Sequence, residues 1–118
     1  MTVSAERKRK IITRDGGVCM LALEGCTGRG ETADHRANRG QGGSPILDDG
    51  ANLVSACVPC NGKKEDDWSV REELIARGVR VEKAATNQRT LDRARQTPVT
   101  DPLGRKWWLI SDTERVAA

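Results

Sequence analysis

The spacing of apolar and polar positions predicts one helix and then a pair of strands in the first half of the chain. Ser4 can cap a helix that has few apolar anchors and ends near Arg14. Two short runs, 31–36 and 52–56, are typical of strands. A Gly-rich loop at 38–49 connects them, so we expect the two strands to pair as a hairpin.

The second half of the pattern predicts short helices followed by a small sheet. Pro59 is tolerated in a first helical turn, so a helix should begin within 57–60 and run to about Asp66. Ser69 opens a capping box for another helix, which Gly78 ends. The remaining segments are a weak helix at 86–96 and the strands of a small β-meander at 97–100, 105–110 and 113–116. Together these elements predict an α+β fold.

The composition indicates that apolar burial alone is a weak basis for stability. The chain has 118 residues, enough for one domain with a short appendage, and only 3% of them are aromatic. All three aromatic residues are Trp, so large side chains that could fill a core are scarce. Four cysteines are the obvious candidates for additional stabilisation. Neither a secretory signal nor an apolar run of membrane-spanning length is visible, so we expect a cytoplasmic protein with reduced thiols.

Charge and histidine content narrow the possible chemistry. The net charge is +3, with a basic opening over 1–30 and an acidic centre over 31–66. This distribution suits a protein that attracts an anion with one part and binds a cation with another, although an ordinary solvated mixture of charges is the alternative. His35 is the single histidine, which excludes metal sites that need several imidazoles.

The cysteine spacing is typical of a structural metal site. Cys57 and Cys60 form a C-x2-C pair, and the other two, Cys19 and Cys26, are separated by six residues. Four thiolates can bind zinc tetrahedrally, and they leave no open position for catalysis. A redox pair and four unrelated thiols are the alternatives, but a redox pair lacks its usual βαβ context here. We therefore expect about one structural zinc ion per chain.

A second set of residues resembles a known family of nucleases. In chain order the set is Asp34-His35, Gly42-Gly43, Asn52, Cys57, Cys60-Asn61 and Lys63-Lys64. This order resembles that of the HNH endonuclease family, whose core is the ββα-metal fold or His-Me finger, and it covers about Arg7 to Asp66. Asn61 at the third motif position corresponds to an HNN variant. The resemblance implies a nuclease core with structural zinc over 1–66 and an extension of unknown role over 67–118.

The residue types in this set fit the chemistry of phosphodiester hydrolysis. The reaction needs a base that deprotonates water and an electrophile near the phosphate oxygens. An imidazole suits the base near neutral pH, and two protein oxygens leave most of an octahedral shell to water and phosphate, as Mg²⁺ prefers. The resemblance implies the same roles, with His35 as the general base and a catalytic Mg²⁺ or Mn²⁺ on Asp34 and Asn61. It also implies that Asn52 braces the hairpin loop and so orients His35.

Asp34 and His35 are neighbours on one predicted strand, which sets a geometric condition. Neighbouring strand residues point to opposite faces, so the strand must bend or end there if both side chains serve one site. A lone structural histidine beside an acidic residue is the alternative interpretation.

Basic side chains near the motif are candidate phosphate contacts. They are Lys63 and Lys64 after the C-x2-C pair, and Arg36 and Arg39 in the hairpin loop, with solvated side chains as the alternative. The expected substrate is DNA. One catalytic metal site cuts one strand, so double-strand cleavage would need a homodimer or two encounters. Small stand-alone chains of this kind resemble phage or mobile-element nucleases, which implies a host-cell cytoplasm and a phage packaging partner.

The sequence thus predicts a metal-dependent endonuclease that hydrolyses DNA and leaves 5′-phosphate and 3′-hydroxyl ends. The competing hypothesis is a non-catalytic zinc-ribbon module that binds nucleic acid or another protein. The combination of Asp34, His35 and Asn61 argues against a pure binding module, since binding alone does not need it.

Overall fold

The described residues form helices and strands in the predicted order. The structure is a computed structural model that describes residues 3–38 and 45–118. In these ranges the helices are α1 (Ala5–Arg14), α2 (Val58–Asp66), α3 (Arg71–Ala76) and α4 (Asn87–Arg95). The strands are β1 (Thr32–His35), β2 (Leu53–Ala56), β3 (Val99–Thr100), β4 (Lys106–Leu109) and β5 (Arg115–Ala117). The helices and the two small antiparallel sheets of these ranges confirm the predicted α+β class.

The first helix begins and ends where the sequence predicts. The Ser4 hydroxyl accepts a hydrogen bond from the Arg7 N–H at 3.1 Å, which satisfies one of the free N–H groups of the first turn. At the other end, the buried Arg14 donates to Asp15 Oδ1 at 2.9 Å. Asp15 in turn accepts the Ser55 N–H at 2.9 Å, so this buried pair joins α1 to β2.

The first sheet is a two-stranded hairpin with α2 directly after it. β1 and β2 pair antiparallel, with Asp34 opposite Val54. Two 3₁₀ turns, Pro45–Asp48 and Gly50–Asn52, precede β2. Cys57 alone separates β2 from α2, and its Sγ caps the helix by accepting the N–H of Cys60 at 3.4 Å. The first turn of α2 is therefore built on the C-x2-C pair.

The start of α3 differs from the prediction. The predicted capping box at Ser69 is wrong, because Asp67 Oδ1 accepts the Ser69 N–H at 3.0 Å and caps a 3₁₀ turn over Trp68–Val70 instead. α3 follows that turn without a side-chain cap. Gly78 ends the segment as predicted, with a φ of +72°. A Cβ there would lie 2.0 Å from the Pro98 carbonyl oxygen, so both the backbone angle and the close approach require glycine.

The C-terminal elements follow the prediction. Thr86 caps α4 by accepting the N–H of Arg89 at 3.1 Å. β3, β4 and β5 form the predicted antiparallel meander. At the turn between β3 and β4, the Gly104 N–H donates to the Asp101 carbonyl at 2.9 Å, and the Trp107 indole donates to the Asp101 carboxylate at 3.0 Å.

The main hydrophobic core joins the two halves of the described chain. It combines residues of the cysteine-containing loop, β2 and α2 with residues of α3, β3 and β4. Its buried members include Leu21, Val54, Cys60, Leu74, Val99 and Leu109. The start of α2 is therefore packed against the segment over 67–118 as well as against the hairpin. None of the helices in the described ranges is long and apolar enough to cross a membrane.

Candidate functional site

Four sulfur atoms from two separate segments lie together at the start of α2. The Sγ atoms of Cys19, Cys26, Cys57 and Cys60 all lie within 4.8 Å of one another, and none of these residues is in a disulfide. The Sγ atoms of Cys26 and Cys57 are 3.9 Å apart. Thiolates bound tetrahedrally to zinc at about 2.3 Å stand about 3.8 Å apart, so the spacing fits such a site. The cluster can therefore hold a metal ion such as zinc.

Backbone N–H groups point at these sulfur atoms. The Leu23 N–H donates to Cys60 Sγ at 3.4 Å. The Gly28 N–H donates to Cys26 Sγ at 3.3 Å, and the N–H of Cys60 reaches the Sγ of Cys57, as described above. Hydrogen bonds of this kind stabilise negative charge on sulfur and orient metal ligands. The loop around the cysteines is thus arranged for thiolates.

The thiols differ in how readily they ionise. Burial raises the pKa of Cys19 and of Cys60. Burial also opposes ionisation of Cys57, but N–H groups of Thr27 and Cys60 and the neighbouring thiols lower the pKa of Cys57 to about 6. A bound cation would supply the positive charge that the remaining thiols need to ionise.

Asp34 is buried and forms an ion pair with Lys64 on α2. The Lys64 ammonium lies 2.6 Å from Asp34 Oδ2 and also donates to the His35 carbonyl. The side chain of Lys64 is 3% exposed and that of Asp34 is 6% exposed. Burial raises the pKa of Asp34, and the charge of Lys64 opposes that rise. This position corrects the predicted phosphate contact of Lys64, because its ammonium is buried and neutralises a carboxylate of the chain itself.

The side chains of Asn61 and Asp34 each offer an oxygen that is not used within the described part of the chain. Asn61 lies on α2 three residues before Lys64, and residues at that spacing share a helix face. Its half-buried carboxamide forms no hydrogen bond within the described part of the chain. In the same ranges Asp34 Oδ1 accepts no hydrogen bond. Carboxylate and carboxamide oxygens are hard donors, the type of ligand that Mg²⁺ prefers.

His35 is the last residue of β1 and contacts a different partner from Asp34. Its Nε2 lies 2.8 Å from Oδ1 of Asp48, the last residue of the 3₁₀ turn Pro45–Asp48. The two side chains are 20% and 9% exposed. Nδ1 of His35 forms no hydrogen bond within residues 3–38 and 45–118. β1 ends at His35, and the side chains of Asp34 and His35 contact different elements.

Asn52 connects the two sides of the hairpin loop. Its Oδ1 accepts the Ala37 N–H at 2.9 Å, and its Nδ2 donates to the carbonyls of Ala37 at 3.1 Å and Leu47 at 2.9 Å. These are the contacts of the predicted brace. Because Leu47 directly precedes Asp48, the brace also holds the backbone of the turn that carries Asp48, the residue that contacts His35. Sequence reasoning missed Asp48, since its spacing from the motif residues does not distinguish it from the aspartate beside it.

Arg36 has a structural position that corrects its predicted phosphate contact. Its side chain is buried and donates to the carbonyls of Ala51, Gly78, Ala94 and Thr97 at 2.6–2.8 Å. Burial lowers the pKa of Arg36 to about 9, so the guanidinium stays charged at neutral pH. Arg39 lies outside the described residues. Lys63 is half-buried and donates to the Glu24 carbonyl at 3.2 Å.

A cavity of about 240 Å³ adjoins the buried Lys64. Its lining includes Arg71, Arg80 and Lys83, together with two glutamates. The Arg71 guanidinium stacks over the exposed ring of Trp68, 4.9 Å from the ring centroid. The side chains of Arg80 and Lys83 form no hydrogen bond or ion pair within the described ranges. This cavity therefore presents cations that an anion could contact, which the local sequence pattern did not indicate.

The loop before β1, the hairpin and α2 together carry a thiol cluster, an ion-paired carboxylate, a carboxamide and an imidazole. Comparisons with protein-family models, with curated proteins and with solved structures give no match. A functional proposal for this protein therefore rests on the chemistry of these side chains.

Proposed function

We propose that the protein is a metal-dependent endonuclease of the HNH type, in its HNN variant, that hydrolyses DNA phosphodiester bonds. In this proposal β1, β2 and α2 form a ββα-metal core, and the four cysteines bind structural zinc. The observation that carries it is the contact of Lys64 with Asp34, which ties that carboxylate to the α2 face bearing Asn61. The imidazole of His35 follows directly on the same strand.

Each residue has one part in the proposed hydrolysis. His35 accepts a proton from the attacking water, whose oxygen bonds to phosphorus as the bond to the 3′ oxygen breaks. Asp34 Oδ1 and the carboxamide oxygen of Asn61 would hold Mg²⁺ or Mn²⁺. When bound, such an ion supplies positive charge that stabilises the phosphate and the departing oxygen. The products are 5′-phosphate and 3′-hydroxyl ends.

Zinc would act on this site through α2. Cys57 caps α2 and Cys60 lies in its first turn, directly before Asn61. Holding these sulfurs in one tetrahedron would fix the start of the helix, and hence the distance between Asn61 and β1. The metal ion on the cysteines is thus structural and takes no part in the chemical step.

The DNA backbone needs cationic contacts, and the candidates are Arg80 and Lys83. Both line the cavity beside Lys64, and neither side chain is engaged by another described residue. The guanidinium stack of Arg71 on Trp68 adds an exposed aromatic surface next to that cavity. Cations and an aromatic face together are typical of sites that hold a nucleic-acid strand.

A plasmid-nicking assay tests the proposal. Supercoiled plasmid is incubated with the wild type and with His35→Ala, with Mg²⁺ or Mn²⁺ added or withheld. We expect nicking that needs the divalent ion and falls by about 10²–10⁴-fold in the variant, the usual contribution of a general base. Arg89→Ala, an exposed change on α4, is the control for handling and purity. Nicking that is unchanged in His35→Ala would contradict the proposal.

A non-catalytic zinc module that binds nucleic acid or protein is the second candidate. The observation in its favour is the same ion pair: Lys64 already neutralises Asp34, as in a site that needs no other cation. Such a module would bind plasmid equally well in the wild type and in His35→Ala, without cleavage by either. Gel shifts run beside the nicking assay separate the two functions.

A further inference from the structure

The imidazole of His35 is held through one of its two nitrogens. Nε2 lies 2.8 Å from Asp48 Oδ1, whereas Nδ1 forms no hydrogen bond within the described residues. An ionised carboxylate only accepts hydrogen bonds, so a neutral imidazole in this pair carries its proton on Nε2. The lone pair is then on Nδ1, in a side chain that is 20% exposed and within reach of water.

Asp48 is itself held from two sides. Nδ2 of Asn52, just before β2, donates to the Leu47 carbonyl at 2.9 Å. Nη1 of Arg7, on α1, donates to the backbone carbonyl of Asp48 at 2.7 Å. Both contacts fix the backbone of the turn rather than the carboxylate. The carboxylate therefore approaches His35 from a supported position, which restricts the orientation of the ring.

We propose that Asp48 is a positioning residue that keeps the proton of His35 on Nε2, so that Nδ1 accepts the proton of the attacking water. The chemical step rests on the proposed function, whereas the tautomer is a property of the folded protein alone. In the step, the water O–H bond breaks and its proton moves to Nδ1. The oxygen then bonds to phosphorus, and the departing 3′ oxygen keeps the bonding electron pair and takes a proton from solvent.

The single histidine of the chain makes this tautomer directly measurable. A long-range ¹H–¹⁵N correlation spectrum of the untagged, ¹⁵N-labelled protein contains one imidazole, that of His35. At about pH 8, where an ordinary imidazole is neutral, we expect a protonated nitrogen shift for Nε2 and an unprotonated one for Nδ1. Two equal, averaged shifts, or a proton on Nδ1, would overturn the proposal without any variant.

Two aspartates in sequence provide a matched pair of variants. Asp48→Ala removes the carboxylate beside His35, while Asp49→Ala removes one that pairs with Arg95 at 3.1 Å. Asp48→Ala should average the two ¹⁵N shifts and lower kcat for nicking by about 10²-fold, the lower end of a general-base contribution. KM should stay within about threefold, since Asp48 touches no substrate atom. Asp48→Glu, which keeps a carboxylate, should restore part of kcat, and Asp49→Ala should leave the tautomer fixed.

A double variant separates action through His35 from a general loss of structure. In a His35→Ala background, Asp48→Ala should cause no further loss of nicking, because the group that it positions is absent. A further loss of the same size as in the wild type would overturn the proposal.

The two proposals fail in different ways. A fixed Nε2–H tautomer in a protein that never nicks DNA contradicts the nuclease and leaves the positioning of His35 by Asp48 standing. In the other case, the protein nicks DNA but its Asp48→Ala variant keeps the full rate and the fixed tautomer. That result contradicts only the proposed role of Asp48 and leaves the nuclease standing.

Discussion

Replacement of Cys26 by Ser tests the proposed metal centre at its most accessible cysteine. Cys26 is half-buried, whereas the other three cysteines are buried, so the substitution disturbs the core least. In a regular tetrahedral zinc site, the 3.9 Å separation of the Cys26 and Cys57 sulfurs would be one edge. Its centre would lie about 2.4 Å from each sulfur, against about 2.3 Å for zinc–thiolate bonds. Loss of this thiolate would therefore remove one of the four ligands of the proposed zinc ion, from a cluster whose sulfurs all lie within 4.8 Å of one another.

The expected effect is large in comparison with the stability of the chain. Structural zinc sites contribute about 10–16 kcal/mol of apparent binding free energy. A domain of 118 residues has a free energy of unfolding of roughly 6–18 kcal/mol. Losing even a quarter of the binding free energy, about 3 kcal/mol, lowers the urea midpoint by about 1.5 M for an m value of about 2 kcal/mol/M. Complete removal of the metal should abolish the cooperative transition.

The assay combines metal content with unfolding. Plasma emission spectrometry should find about one zinc per wild-type chain and less in Cys26→Ser. Circular dichroism against urea should show the lower midpoint in the variant and the loss of the transition after chelation. Val58→Ala is the control, because Val58 lies between Cys57 and Cys60 but is 63% exposed. A metal-free wild type that unfolds at an unchanged midpoint would refute the metal centre.

Three further predictions use other parts of the structure. Lys64→Gln leaves a buried carboxylate without its cation and should lower the free energy of unfolding by about 3 kcal/mol in urea titrations. The neighbouring Lys63→Gln should change it by less than about 0.5 kcal/mol, and equal effects would contradict the assigned burial. Arg80→Ala combined with Lys83→Ala should weaken DNA binding and reduce the slope of log affinity against log salt by about 2 in fluorescence anisotropy. Burial opposes ionisation of Asp101, but an indole N–H, two backbone N–H groups and a nearby guanidinium hold its pKa below the usual value. Its contribution to stability is therefore present above the unfolded-state pKa and is lost as the pH falls through the lower folded-state pKa. Asp101→Asn should flatten the stability profile below about pH 4 in acid titrations followed by Trp fluorescence.

Local signals account for the parts of the fold that the sequence predicts well. Ser4 begins a helix through its hydroxyl and Gly78 ends one through its backbone angle, each acting only on the adjacent turn. The C-x2-C spacing of Cys57 and Cys60 likewise depends on a single helical turn. Ser69 shows the limit of such signals, because Asp67, two residues earlier, also offers a cap and is the one that is used. Neighbouring capping residues compete, and the spacing alone does not rank them.

The burial of charged side chains depends on segments far apart in the chain. Arg36 is surrounded by carbonyl groups from three separate parts of the chain, around 51, 78 and 94–97. Lys64 is buried because β1 presents Asp34 to the same point on α2. A basic residue beside a nuclease-like motif has the same local pattern whether it contacts phosphate or the chain itself. Only the tertiary arrangement distinguishes the two roles.

The end of β1 supports the two parts of the proposed site separately. Asp34 is tied to α2, so the metal bound by the cysteines would control its position relative to Asn61. His35 is tied to Asp48, in a turn whose backbone is held by Asn52 through the Leu47 carbonyl and by Arg7 through the Asp48 carbonyl. Partial loss of zinc, as expected in Cys26→Ser, should therefore impair the binding of the catalytic ion first, while the tautomer of His35 responds to the hairpin loop. His35 still pairs with Leu53 of β2 and is the last residue of β1, so the sheet holds its backbone while its imidazole contacts Asp48 in a turn of the hairpin loop.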